Sequence, residues 1–189
     1  LDEVGEAVRV IRDAGNDQVI LLHCVSSYPA DPADANLRAM RTMAEAFSLP
    51  VGFSDHTPGL EVALAAVALG ACVIEKHLTL TRTLPGPDHR ASLEPPELHS
   101  LLRGIRLVER ALGHGRKEPV ASEAELATVV RRSLVAARDI PRGTALAAEL
   151  LTSLRPASGL PPSRLAQVIG RTARQDIPAG TMLTWAMLG

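Results

Sequence analysis

Aromatic side chains are almost missing from this chain: one Trp, one Tyr and two Phe, 2% of 189 residues. A core must therefore be filled by Leu, Val, Ile and Ala, and hydrophobic residues at 46% can supply it. An excess of one charge sign is missing too. Lys and Arg number 20 against 21 Asp and Glu, interspersed, for a net charge of −1. That balance argues against a nucleic-acid or membrane-surface role. No apolar run approaches the ~20 residues of a bilayer span, and no signal peptide is expected. Cysteine is scarce. Cys24 and Cys72 both fall in predicted strands, which predicts buried, reduced thiols in a cytoplasmic protein. No glycine-rich phosphate fingerprint follows a strand, which argues against dinucleotide binding. The chain begins at Leu1 rather than Met, which reads as a truncated start.

The first part of the chain alternates two periodicities. Val4, Ala7, Val8 and Ile11 recur at helical spacing, and Gly15 is placed to end that helix. Val19–Val25 is a near-continuous apolar run, the pattern of a parallel strand covered on both faces. A helix is predicted over 33–47, a strand over 50–53, a helix over 60–69, a strand over 72–75 and a helix over 95–112. The short strand-to-strand intervals are those of βα units, in a doubly wound sheet or part of a (β/α)8 barrel. Three strands cannot close a barrel.

Composition changes at Gly113–Glu118, a polar stretch. Beyond it Arg138-Asp139-Ile140-Pro141-Arg142-Gly143-Thr144 recurs as Arg174-Gln175-Asp176-Ile177-Pro178-Ala179-Gly180-Thr181. Each Pro-x-Gly reads as a turn leaving a short strand. The expected organisation is a barrel part over 1–112, a linker over 113–127 and a small β-rich domain with internal pseudo-symmetry over 128–189.

His56 and His77 each follow a strand end, on adjacent βα units. Strands there lie ~4.8 Å apart, close enough for two imidazoles to share an ion. Spacing alone leaves two readings, metal ligands or ordinary loop histidines. Strand alternation puts Ser54 with His56 and Glu75 with His77 on one face. A buried Glu75 reads first as a partner for a Lys or Arg. Asp88, in Leu84-Pro85-Gly86-Pro87-Asp88-His89, sits either on a rigid ligand mount or in an ordinary turn. Tyr28, at a strand end, fits packing or a pocket equally. His23 reads as a satisfied core histidine, and Arg131, Arg132 and Arg155 as surface charges.

Taken together, HCVSSYPA (23–30), GFSDHT (52–57), ALGACVIEKHLTL (68–80), LPGPDH (84–89), RRSLVAARDIPRG (131–143) and LRPASGLPP (154–162) occur in this order in one family. The chain resembles the N-acetylneuraminate (sialic acid) synthases and their relatives for legionaminic, pseudaminic and spore-coat sugars. The resemblance implies an α/β fold: the C-terminal part of a TIM (β/α)8 barrel, then an antifreeze-like (SAF) domain. It implies a transferase that condenses phosphoenolpyruvate with an N-acetylated amino sugar to a nine-carbon 2-keto-3-deoxy acid. His56 and His77 would hold a divalent metal, manganese first and magnesium or cobalt as alternatives. Glu75 joins them as a catalytic residue. Ser26, Tyr28, Ser54, Asp88 and Arg155 would contact substrate. Arg155 would reach the pocket of a second subunit in a homodimer with swapped C-terminal domains.

The chain departs from some sialic acid synthases at Ser26, where they carry Asn, and this bears on the sugar accepted. The N-terminal part of the barrel is not in this sequence, so the chain alone is expected to be inactive. Other phosphoenolpyruvate-dependent 3-deoxy-sugar acid synthases would lack the C-terminal domain. The other alternative is a non-enzymatic antifreeze-like binding module.

Overall fold

Three short parallel strands lie side by side in the computed structural model, which describes residues 1–189 apart from the side chain of Glu125. They are β1 (Leu21–Cys24), β2 (Val51–Asp55) and β3 (Ile74–Lys76), in the order β1-β2-β3. The helices α1 (Asp2–Asp13), α2 (Ala39–Phe47), α3 (Glu61–Ala68) and α4 (Pro95–Leu112) alternate with them. These elements form the first of two compact units, Leu1–Gly115 and Arg116–Gly189.

Alternation along each strand decides which face the helices cover. Val51 and Phe53 of β2 pack with Ala35, Met40, Met43 and Ala66, and Leu21 and Ile74 join them. A second cluster joins α3 to α4 through Ala63, Leu93 and Leu101. Gly104 lets the two helices approach, since a Cβ there would meet Leu64 Cδ2 at 2.9 Å. The opposite face of the sheet is bare, and Cys24, Val73 and Glu75 stand exposed on it. This corrects two expectations. The first strand is not covered on both faces, and neither cysteine is buried. For the first strand and Cys24 the physical reason is that the helices of this unit pack on only one side of the sheet, whereas Cys72 shares the helix side with Ile74 and is exposed just ahead of β3, beside Met40, Ala44 and Leu49.

Boundaries moved where local chemistry overrode periodicity. The helix expected over 33–47 starts as a 3-10 turn, Pro32–Asp34, and resumes at Ala39. Asn36, in the left-handed region at φ 40°, separates the two. α1 ends as expected, with Gly15 at φ +85°. Within the expected linker a helix, α5 (Ala121–Val130), begins.

The second unit buries its own cluster, including Leu134, Ile140, Leu146, Val168, Ile177 and Leu183. It holds β4 (Ser133–Ala136) antiparallel to β5 (Leu151–Leu154), and the short helix α6 (Leu165–Val168). The repeat read in the sequence is a pseudo-two-fold axis here. Ile140 and Ile177 exchange both backbone bonds at 2.9 Å. Asp139 Oδ1 accepts from the Ala179 N–H and Asp176 Oδ1 from the Arg142 N–H, each at 2.7 Å. Leu146 N–H donates to Arg171 O as Leu183 N–H does to Leu134 O. Each copy thus supplies what the other lacks.

Candidate functional site

The sheet register places three side chains in one row on the bare face. Cys24 lies opposite Ser54, and Ser54 opposite Glu75. Two residues further along β2 and β3 come His56 and His77, on the same face at the carboxyl ends of the strands. Their rings stand edge-on with centroids 5.1 Å apart. Tyr28, from the segment after β1, packs against both, at 4.3 Å from His56 and 5.7 Å from His77.

His56 is buried and oriented. Its Nδ1 lies 3.1 Å from Val25 O and 3.7 Å from Cys24 Sγ. A carbonyl only accepts, so Nδ1 carries the hydrogen, and in the neutral tautomer that makes this bond Nε2 is the nitrogen with the lone pair. That is the arrangement found behind metal-binding histidines, where a backbone carbonyl fixes the tautomer. Ser54 Oγ donates to Glu75 Oε1 at 2.6 Å, leaving Oε2 for another partner. This corrects the expectation of a Lys or Arg beside Glu75. The neighbouring Lys76 points to the other face.

Asp88 arrives on a braced loop. Its Oδ2 is 4.0 Å from His77 Nδ1. Ser92 Oγ donates to Asp88 O at 2.7 Å, and Thr79 Oγ1 sits 2.7 Å from His89 Nδ1. Arg82 clamps the loop to the start of α4 through Ser92 O and Glu97. The Arg82 guanidinium, with the Glu94 N–H second, holds the Glu97 carboxyl below the usual carboxylate range. The structure thus gathers Tyr28, Ser54, His56, Glu75, His77 and Asp88. Ser26 is exposed near Cys24, its Oγ 3.9 Å from Sγ. Arg155 is exposed in the second unit, after β5. His23 faces the helices, with Nε2 2.9 Å from Ala35 O. Among the described residues no group of three or more His, Cys, Asp and Glu side chains could hold a metal.

Three residues next to the histidines were not singled out from the sequence. Lys76 Nζ donates to Asp55 Oδ2 and to Thr57 O, both at 2.7 Å. Asp55 Oδ1 accepts from Thr57 N–H and Oγ1 at 2.9 and 2.8 Å. Opposite charges just before each histidine were the available signal, but their pairing depends on register.

A model of the NeuB family matches residues 1–117, and one of the SAF domain matches 131–189. N,N'-diacetyllegionaminic acid synthase of Legionella pneumophila is 44% identical over 189 residues, covering 98% of this chain and 53% of that protein. Human N-acetylneuraminate-9-phosphate synthase is 39% identical over 173 residues, covering 90% and 48%. Among solved structures, the Leptospira borgpetersenii N-acetylneuraminic acid synthetase, in complex with citrate, superposes with a TM-score of 0.60 at 46% identity, over 66% of this chain and 44% of that one. The Bacillus subtilis spore coat polysaccharide biosynthesis protein spsE gives 0.56 at 36%, over 100% and 58%. The chain spans about half the length of the curated relatives it matches.

Proposed function

Because the chain belongs to the NeuB family and carries a SAF domain behind the barrel part, we propose that it forms the metal-binding side of a sugar-acid synthase. The reaction joins phosphoenolpyruvate to an N-acetylated amino sugar. C3 of phosphoenolpyruvate bonds to the sugar's aldehyde carbon, whose oxygen becomes a hydroxyl. Water adds at C2, and cleavage of the C2–O bond to phosphorus's bridging oxygen releases phosphate and leaves a 2-keto-3-deoxy acid. The observation that carries this reading is the pair His56 and His77, side by side at the ends of adjacent parallel strands. In α/β barrels that edge is where catalysis sits.

His56, through Nε2, and His77 would hold a divalent ion, manganese for preference. The ion would supply Lewis acidity at the aldehyde oxygen. Asp88 would accept hydrogen bonds from the sugar's hydroxyls, and Tyr28 would wall the pocket. Ser54 orients Glu75, whose free oxygen can hold a proton beside the reacting carbons. Ser26 is proposed to contact the sugar. Arg155 is proposed to contact it from a second subunit, in a swapped homodimer that sedimentation would detect.

Calorimetric titration with manganese tests the metal assignment. The wild-type chain is expected to give a saturable signal that His56→Ala/His77→Ala abolishes. An unchanged signal in a folded double variant would overturn it. Turnover by the isolated chain is not expected, because three strands stand where a closed barrel has eight.

An acceptor with two N-acetyl groups is the alternative: relatives named for N,N'-diacetyllegionaminic acid are 44% and 46% identical, and a solved N-acetylneuraminic acid synthetase is 46% identical over a shorter stretch. Identity does not rank the two sugars, and a full-length protein assayed with both would decide.

A further inference from the structure

The Asp55–Lys76 ion pair lies on the helix side of the sheet, away from the site. Both side chains are almost wholly buried, at 0% and 4% exposure. In the β2–β3 ladder the two residues face each other in the last rung. His56 and His77 are the next residues on, just past the point where ladder bonds cease to hold the strands together. Lys76 Nζ spans that gap. It binds Asp55, which precedes His56, and the carbonyl of Thr57, which follows it. Asp55 closes the ring through the Thr57 N–H and hydroxyl. His56 is therefore bracketed on both sides by groups tied to the residue before His77. The backbone around His77 is held in turn, since His77 O accepts from the Leu93 N–H at 2.8 Å.

From this geometry we infer that Asp55, Lys76 and Thr57 are positioning residues that fix the separation of the two imidazoles. The inference rests on reading His56 and His77 as metal ligands. The physical case is one of precision. A metal site needs its ligands held within about 0.5 Å, and supporting partners change affinity about 10- to 100-fold when lost. Lys76 supplies hydrogen bonds between the two strand ends beyond the last rung, where Tyr28 adds ring packing against both histidines.

Removing one charge alone would strand the other in a buried site and threaten the fold. The test therefore replaces both, as Asp55→Leu/Lys76→Met, which keeps apolar volume in place of the pair. Thr57→Val serves as a second variant that leaves the ion pair intact. Two readouts are taken on the full chain. The first, without metal, is the nuclear Overhauser contact between the His56 and His77 rings. The second is manganese affinity from electron paramagnetic resonance of the free ion. The wild-type chain shows the ring contact. The double variant keeps its melting transition, loses the contact, and binds manganese at least 10-fold more weakly. Thr57→Val keeps the fold and weakens the contact less. Persistence of the ring contact in the folded double variant overturns the inference. So does a double variant that fails to fold, which makes the pair a stability element. Failure of the wild-type chain to bind manganese would count against the metal reading alone, because the ring contact is measured without it.

Discussion

A Cβ built on Gly52 would lie 2.5 Å from Val73 O and 2.6 Å from Leu22 Cδ2. The first neighbour is backbone, so the strands themselves would have to part. Gly52→Ala is expected to cost about 1–3 kcal/mol, as overpacking does, and chemical denaturation of the variant would measure it. A stability within 0.5 kcal/mol of wild type, the spread of ordinary surface changes, would contradict the close approach. The same scale shows what a reader of sequence can and cannot see. His56 and His77 were legible because a polar residue just past an apolar run sits at a strand end whatever the partners are. Asp55 and Lys76 were not, because opposite charges in neighbouring strands meet only in one register. The exposure of Cys24 was invisible for another reason. It depends on what covers the second face of the sheet, and no local pattern states that.

Among elements, α4 shows how a helix start can hold a loop. Glu94 N–H donates to Glu97 Oε2 at 2.8 Å, and Arg82 reaches the same carboxylate. Pro95 at the first helical position completes the start signal. Because Glu97 is held below its ordinary range, its contribution is present at neutral pH. It is lost as pH falls below about 4.3 and through the depressed folded value. The protection of the amides over residues 94–98, measured against their intrinsic exchange rates, should therefore fall in acid, and Glu97→Gln should flatten that dependence. Equal acid sensitivity in the variant would remove Glu97 as the cause. Helix content in this unit was legible from 3.6-residue spacing. The break at Asn36 was not, since a single residue's left turn leaves no periodic trace.

Over the whole molecule, each unit carries its own apolar clusters. Residues 116–189 expressed alone should fold and melt in one cooperative transition. Residues 1–115 alone should aggregate, because the sheet keeps two open edges and an uncovered face. Calorimetry of the two pieces checks both, and a soluble, monomeric 1–115 would show the bare face to be harmless. The division into βα units and a repeat-bearing second part was legible, because both are patterns along the chain. Where α5 begins was not, since its residues carry no strong amphipathic stripe. The pseudo-two-fold has its own consequence. Every bond across the axis runs between one copy and the other, so a single copy has nothing to close on except a second copy of itself. The second unit has the construction of a homodimer written as one chain. Fusion frees the copies to diverge in side chains that make no bond across the axis, and they have: Arg142 stands where the other copy has Ala179, while the backbone N–H of each keeps its bond to the opposite aspartate. It also makes their order along the chain a matter of history, because exchanging them would leave the same bonds to be made.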